Sequence, residues 1–410
     1  MRNLIYSLLI ILSLGTFSCQ QNNAETTKAK SAFANIPELL DRNPGLQNGK
    51  EWEQVQNVYV KNRNKIAANA DDGEGRLNLA LLFINEARVT GEHGHYYPSA
   101  LQVLNELLEN PIENKDLKFR ALSAKASVQL SQHDFTNALI SGEEAVALNP
   151  YNAQIYGVLV DANVELGNYE EAVAIADKMV SIRPDLRSYA RVSYLREIYG
   201  KVEGAIEAMD MAVAAGYPGF EQTCWARLTL GKLHEQYGDK KLAEYQFQMA
   251  LQERENYPFA LAEIAALRMK DGNYEEAEEL LNQACKLIPE VHFYIHLADI
   301  YKATNRPEKF QETIKEIKLM LEDDVVHGHN MNLEYAHLYK DQIGDLNEAL
   351  VYAKKEYEKR PQNIDVNRLL AQIYHDMGNE TAAATHFAVA ARTNSQNPEL
   401  TDLKQQLATL

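Results

Sequence analysis

The sequence predicts an all-α protein built as an array of helical hairpins, and three observations carry that prediction. A glycine recurs at positions 167, 200, 238, 272 and again at 344 and 378, and each is followed five residues later by an alanine. Between these marks apolar residues return at helical spacing, as along Tyr156, Leu159 and Leu166. The 410 residues hold only 20 glycines and 12 prolines, few turn-formers for a β protein but enough for long helices with short connections.

Each element of the repeat has a physical reason. Glycine ends a helix because the left-handed backbone it adopts there meets no Cβ clash, and Asn305, the next most tolerant residue, stands at the vacant slot between 272 and 344. The alanine five residues on lets the second helix of a pair approach the first. Pro150, Pro184, Pro289 and Pro361 each open a new segment, where a missing N–H is harmless. The steps between marks are 33, 38, 34, 33, 39 and 34 residues. The fullest copies are Leu166-Gly167-Asn168-Tyr169-Glu170-Glu171-Ala172 and Asp271-Gly272-Asn273-Tyr274-Glu275-Glu276-Ala277. A looser unit at 119–150 puts His133 at the glycine slot and Ala138 at the alanine slot.

With a period near 34 residues, the chain resembles the tetratricopeptide-repeat proteins over residues 73–397. The resemblance implies a right-handed superhelical solenoid of about eight or nine repeats and a binding surface on its concave face. Residues 36–72 read as a helical N-terminal cap and 398–410 as a C-terminal one, covering the open ends of the array. Gly91 to Pro98 reads as an insertion between the helices of an early unit.

The first residues read as an address. Arg2, an apolar run from Leu4 to Leu14 and the small residues Gly15, Thr16 and Ser18 describe a secretory signal over 1–18. That run is shorter than the roughly 20 residues needed to span a bilayer. Cys19 follows directly, and 19–35 reads as a polar tether. This resembles a bacterial lipoprotein signal, which implies acylation of Cys19 and an exported chain held at the outer membrane or the periplasmic face. Cys224 and Cys285 lie in apolar helical contexts and read as small core residues.

Composition narrows the function. With 46% hydrophobic and 24% charged residues the chain is an ordinary core-former. Its 58 acidic against 41 basic residues give a formal charge of -17, which argues against binding DNA or RNA. The G-x-S-x-G, H-E-x-x-H and G-x-G-x-x-G motifs do not occur, so no enzyme and no cofactor are expected. His292, His296 and Asp299 could share a helix face, and His93/His95 and His327/His329 form loop pairs, but a metal site needs three or four converging ligands and none is assigned.

The stripe of each first helix that faces the groove is the more informative feature. Taken at 3-4-3 spacing it gathers Tyr194, Trp225 and Phe259 with Arg187, Lys232 and Lys302, and Lys270 stands beside Met269 at its edge. Aromatic anchors beside cations suit an extended peptide or partner protein carrying acidic groups. The same aromatics could instead fill the interior. The reading is thus a lipid-anchored protein-interaction scaffold, with a cell-surface glycan-binding lipoprotein, suggested by the 22 tyrosines, as the alternative.

Overall fold

A computed structural model describes residues 36–109 and 111–408. The predicted signal, Cys19 and the tether lie outside the described residues. Among the described residues the chain forms twenty helices and no strand. Helix α1 (Gly49–Ala68) precedes nine antiparallel pairs. These are α2/α3 (Gly73–Thr90, His93–Leu108), α4/α5 (Lys115–Ser131, Phe135–Leu148), α6/α7 (Ala153–Leu166, Tyr169–Ile182) and α8/α9 (Leu186–Ile198, Val202–Ala214). Next come α10/α11 (Glu221–Gln236, Lys240–Glu253), α12/α13 (Pro258–Lys270, Tyr274–Leu287) and α14/α15 (Val291–Ala303, Pro307–Val326). The last two are α16/α17 (Asn332–His337, Leu346–Lys359) and α18/α19 (Ile364–Asp376, Glu380–Ala390), followed by α20 (Pro398–Ala408).

The repeat punctuation does what its chemistry requires. The six marker glycines all have positive φ, and so do His133 (59°) and Asn305 (54°) at the slots where glycine is missing. The alanines five residues on, Ala138, Ala172, Ala205, Ala243, Ala277, Ala349 and Ala383, are each 0% exposed. The two long steps have separate causes. The 38-residue step holds the extended connection Ala215–Phe220, and the 39-residue step holds the 20-residue α15 and a π-helical continuation of α16 over Leu338–Ile343. In the first pair the expected insertion is absent: Gly91 caps α2 with φ 73°, and His93 to Pro98 are already part of α3, with the proline inside the helix. Sequence alone misjudged this segment because a proline in mid-helix reads as a break.

Eight apolar clusters run along the array, each shared by neighbouring pairs, in place of one central core. At the N-terminal end the alanine slot holds Tyr96, fully buried, whose hydroxyl accepts the Leu40 N–H at 3.1 Å. That bond ties residues 36–48 across the first pair. Arg42 is buried there, bonding both oxygens of buried Glu86 at 2.7 Å and Glu51 at 2.8 Å.

The array winds past one full turn, and the second turn rests on the first. Residues 195 to 198 positions apart meet along this seam. Gln132 Nε2 donates to the His327 carbonyl at 3.1 Å, and the Asn330 N–H donates to the Gln132 carbonyl at 3.0 Å. Asn363 Nδ2 donates to the Glu165 carbonyl at 3.0 Å, and the Ile364 N–H donates to the Tyr169 hydroxyl at 2.8 Å. Gln396 Nε2 donates to the Gly200 carbonyl at 3.0 Å. Arg360 bonds Glu165 and Glu356 and lies over the Phe135 ring. The seam therefore encloses an interior lined by first helices of both turns. Among the described residues no helix is long and apolar enough to cross a membrane.

Candidate functional site

The interior is built from the first helix of each pair. Helix α8 starts at a fixed point because Asp185 accepts the N–H groups of Arg187 and Ser188 at 3.1 Å while Ser188 Oγ accepts the Asp185 N–H at 2.9 Å. This capping box sets Arg187 at the mouth of a cavity of about 420 Å³. Its walls include Arg183 and Arg254, the carboxylates of Glu51, Asp185 and Glu221, the amides of Asn85, Gln154 and Gln222, and the rings of Tyr217 and Phe220, with Arg254 paired to Glu51 at 3.1 Å. The Arg187 guanidinium bonds Gln222 Oε1 at 3.3 and 3.4 Å, a neutral oxygen and not a carboxylate. Burial first, and then Arg88 and Arg191 nearby, hold its pKa below the usual arginine value. A cation kept in surroundings that disfavour its charge is a ready receptor for an anion.

Two turns along α8, Tyr194 keeps 41% of its surface exposed, yet that surface faces the interior. Burial, Asp365 of the second turn and Glu165 push its phenol well above the ordinary value. A second cavity of about 440 Å³ lies between the turns, lined by His133, Asp161, Glu165, Arg191, Glu334 and Arg360 among others. Two ion pairs cross it, Arg191 with Asp161 and Arg360 with Glu165, while Glu334 Oε2 is buried there without a hydrogen-bond partner.

The other residues singled out from sequence divide into two groups. Trp225 is 46% exposed on α10. Phe259 is half-buried, its ring edge-on to both Tyr257 and Phe293, and it packs against two of the apolar clusters. The three lysines all reach along the array to a neighbouring pair. Lys232 Nζ meets Glu263 at 2.6 Å, Lys270 Nζ meets Glu235 at 2.7 Å, and Lys302 Nζ donates to the Asp341 carbonyl at 3.2 Å. The lysine ends are exposed, while the carboxylates they reach, Glu263 and Glu235, are largely buried.

The histidines follow the same inner stripe. His292 and His296 lie with Nε2 atoms 3.1 Å apart, and burial lowers both to a pKa of about 4. His296 Nδ1 stands 4.0 Å from Asp299, whose other contact is the Gln342 amide. Among the described residues no group of three His, Cys, Asp or Glu side chains converges as a metal would require. Cys224 is fully buried and Cys285 partly so, and burial raises both thiols, to about 11 and about 12.

Arg88, Arg254, Gln222, Tyr217 and Phe220 were not singled out by the sequence. Arg88 lies 99 positions from Arg187, and the two face each other only because the array curls. The unusual length of the Ala215–Phe220 connection was visible as a 38-residue step and was the available signal for the two rings.

Family models for the tetratricopeptide repeat match residues 129–196 and 343–407, and another matches 260–290. The small glutamine-rich tetratricopeptide repeat-containing protein 2 of Saccharomyces cerevisiae is 32% identical over 167 residues, which are 34% of this chain and 48% of that protein. An SGT1 homolog of Oryza sativa subsp. japonica is 33% identical over 76 residues, 18% of this chain and 20% of that one. The match thus spans about half the length of the yeast protein and less of the rice one. The solved structure of the APC/C hetero-tetramer Cut9-Hcn1 is similar over 95% of this chain and 73% of that chain, at 13% identity and a TM-score of 0.49. The chain carries tetratricopeptide repeats in an all-α helical solenoid, an architecture of protein-interaction scaffolds.

Proposed function

We propose that this tetratricopeptide solenoid binds a partner protein through an extended acidic segment received in its interior, with Arg187 as the anchor. The observation that carries the reading is the state of Arg187. Its guanidinium bonds only an amide oxygen, although the cavity it faces holds Glu51, Asp185 and Glu221 as well as Arg183 and Arg254. The balance of burial and nearby arginines still disfavours its charge, in a chain whose net charge is -17. A carboxylate entering there gains a charge-assisted, two-pronged bond. Tyr194 and Trp225, with exposed rings on the same face of successive first helices, offer apolar contact beside it. Lys232, Lys270 and Lys302 act as a paired rim that sets local field, and Phe259 supports the wall from within the packing.

The test uses an array of extended peptides graded in acidity, with the hits measured in solution. Arg187→Glu should abolish binding of the acidic hits and leave the melting temperature near that of the wild type. Trp225→Ala should weaken them by about 1–3 kcal/mol, the range of aromatic hot spots. Equal binding by Arg187→Glu and wild type removes the interior from the account.

The same reading includes export and anchoring through Cys19. Metabolic labelling with a fatty-acid analogue should mark the wild type and not Cys19→Ala. A labelled variant, or an unlabelled wild type, ends that part of the proposal.

A further inference from the structure

The seam between the turns joins two kinds of loop. The tight turns within pairs one to four, at Gly91, Gln132, Gly167 and Gly200, receive the connections that follow pairs six to nine. Contact is close: a Cβ on Gly167 would lie 2.4 Å from the Gln362 backbone, and one on Gly200 would fall against the Asn394 carbonyl. The turns within the later pairs are built alike, with the same left-handed residue, but they receive nothing. A Cβ on Gly238, Gly272, Gly344 or Gly378 would meet no atom within 4 Å.

The opposite edge carries the complementary loop type. The connection after pair two, Asn149-Pro150-Tyr151-Asn152, has the form of Arg360-Pro361-Gln362-Asn363, the seam connection that covers Gly167. Arg183-Pro184 after pair three repeats the Arg360-Pro361 opening. Tyr151 occupies the place of Gln362, the residue that presses on a glycine turn, and it is 79% exposed. Tyr217 and Phe220, in the connection after pair four, are 77% and 67% exposed. The glycine-turn edge in turn leaves Ile343 and Met377 partly bare beside Gly344 and Gly378.

We propose that a second copy of this chain stacks end to end on the first, laying its connections after pairs two to four along the open glycine turns at Gly238, Gly272, Gly344 and Gly378. The surface is a continuation of the intramolecular seam, made from the same two loop types in the same order, so the occupant it fits is another copy. Such an interface is heterologous, head to tail, and its growth does not close on itself. The charge of -17 per chain opposes it at low ionic strength, so association strengthens as salt is raised.

Sedimentation velocity on the chain carrying residues 36–410 tests this across concentration and salt. The wild type should show mass increasing with concentration, more at high salt. Tyr151→Glu alters one edge, and the double variant Ile343→Glu/Met377→Glu alters the other. Each alone should associate at least about tenfold more weakly, the loss of a contact worth one decade. Mixed together, they should form a two-chain complex and nothing larger, because each keeps the edge the other lacks. Circular dichroism and melting temperature of each variant establish that it is folded. A wild type that stays monomeric up to millimolar concentration overturns the proposal, as do folded variants that associate like the wild type, or a mixture that gains no dimer. Tyr151, Ile343 and Met377 do not line the Arg187 cavity, so each variant, measured as a monomer, should bind peptide in the interior as the wild type does.

Discussion

Gly167 and Gly272 open identical hexapeptides, Gly-Asn-Tyr-Glu-Glu-Ala, in the first and second turns of the solenoid. Both glycines are left-handed, with φ 84° and 76°, and both alanines are buried. Their surroundings differ entirely. The turn at Gly167 lies under Gln362, and Tyr169 is buried with its hydroxyl accepting the Ile364 N–H and Arg392 over its ring. The turn at Gly272 is open, and Tyr274 is only partly buried. Local sequence decides the form of a repeat, and position along the superhelix decides what that form does. In the first turn a capping loop becomes part of a core.

The comparison is sharpest where charge is buried. Arg360 on the seam bonds Glu356, itself 1% exposed, at 2.5 Å, and also bonds Glu165. Arg360→Ala strands those carboxylates and should cost about 3–5 kcal/mol in denaturant unfolding. Lys240→Ala, which removes an exposed pair with Asp271 on the open side, should cost about 0–1 kcal/mol. Similar losses at the two sites would mean that the seam is wet and loosely held.

The glycines come next. At Gly272 an alanine meets only the backbone strain of positive φ, about 1–2 kcal/mol. At Gly167 the added methyl also meets the Gln362 backbone, so Gly167→Ala should exceed Gly272→Ala by about 1–3 kcal/mol. Melting curves of the two variants measured together settle the order.

The tyrosines give a smaller contrast. Tyr169→Phe leaves the buried Ile364 N–H without its acceptor, a loss of about 1–3 kcal/mol. Tyr274→Phe should leave the melting temperature unmoved.

The last contrast is one of pH. His93 on the seam, 3.9 Å from Glu290, has its pKa lowered to about 4 by burial and then by His329. Between pH 6.5 and 4 the unfolded chain takes up a proton that the folded chain refuses, so stability falls as pH falls through that window. His93→Gln should flatten the acid slope. An unchanged slope would show that this histidine is not held neutral by the seam.

The hairpins were legible because their determinants are local. A left-handed residue, an alanine and a helical apolar stripe all sit within one period, and even the substitutes His133 and Asn305 could be placed. The inner stripe was legible as a line of residues, but the bonds made along it were not. Lys232 meets Glu263 and Lys270 meets Glu235 because of the register between neighbouring pairs, which spacing within one helix does not fix. Phe259 looked like a groove anchor, and its ring instead packs between Tyr257 and Phe293. Contacts across the turn were beyond reach, since Arg88 and Arg187, or Tyr169 and Ile364, meet only through the summed rotation of several pairs.

Peptide-resolved amide hydrogen exchange under native conditions tests the two-turn winding most directly, by comparing residues 166–172 with residues 271–277. The winding predicts that the 166–172 turn exchanges markedly more slowly than its sequence twin, and that Tyr169→Phe raises exchange both there and at 362–366. Equal exchange of the twins in the wild type would contradict it, and with it the enclosed interior on which the proposed binding at Arg187 rests.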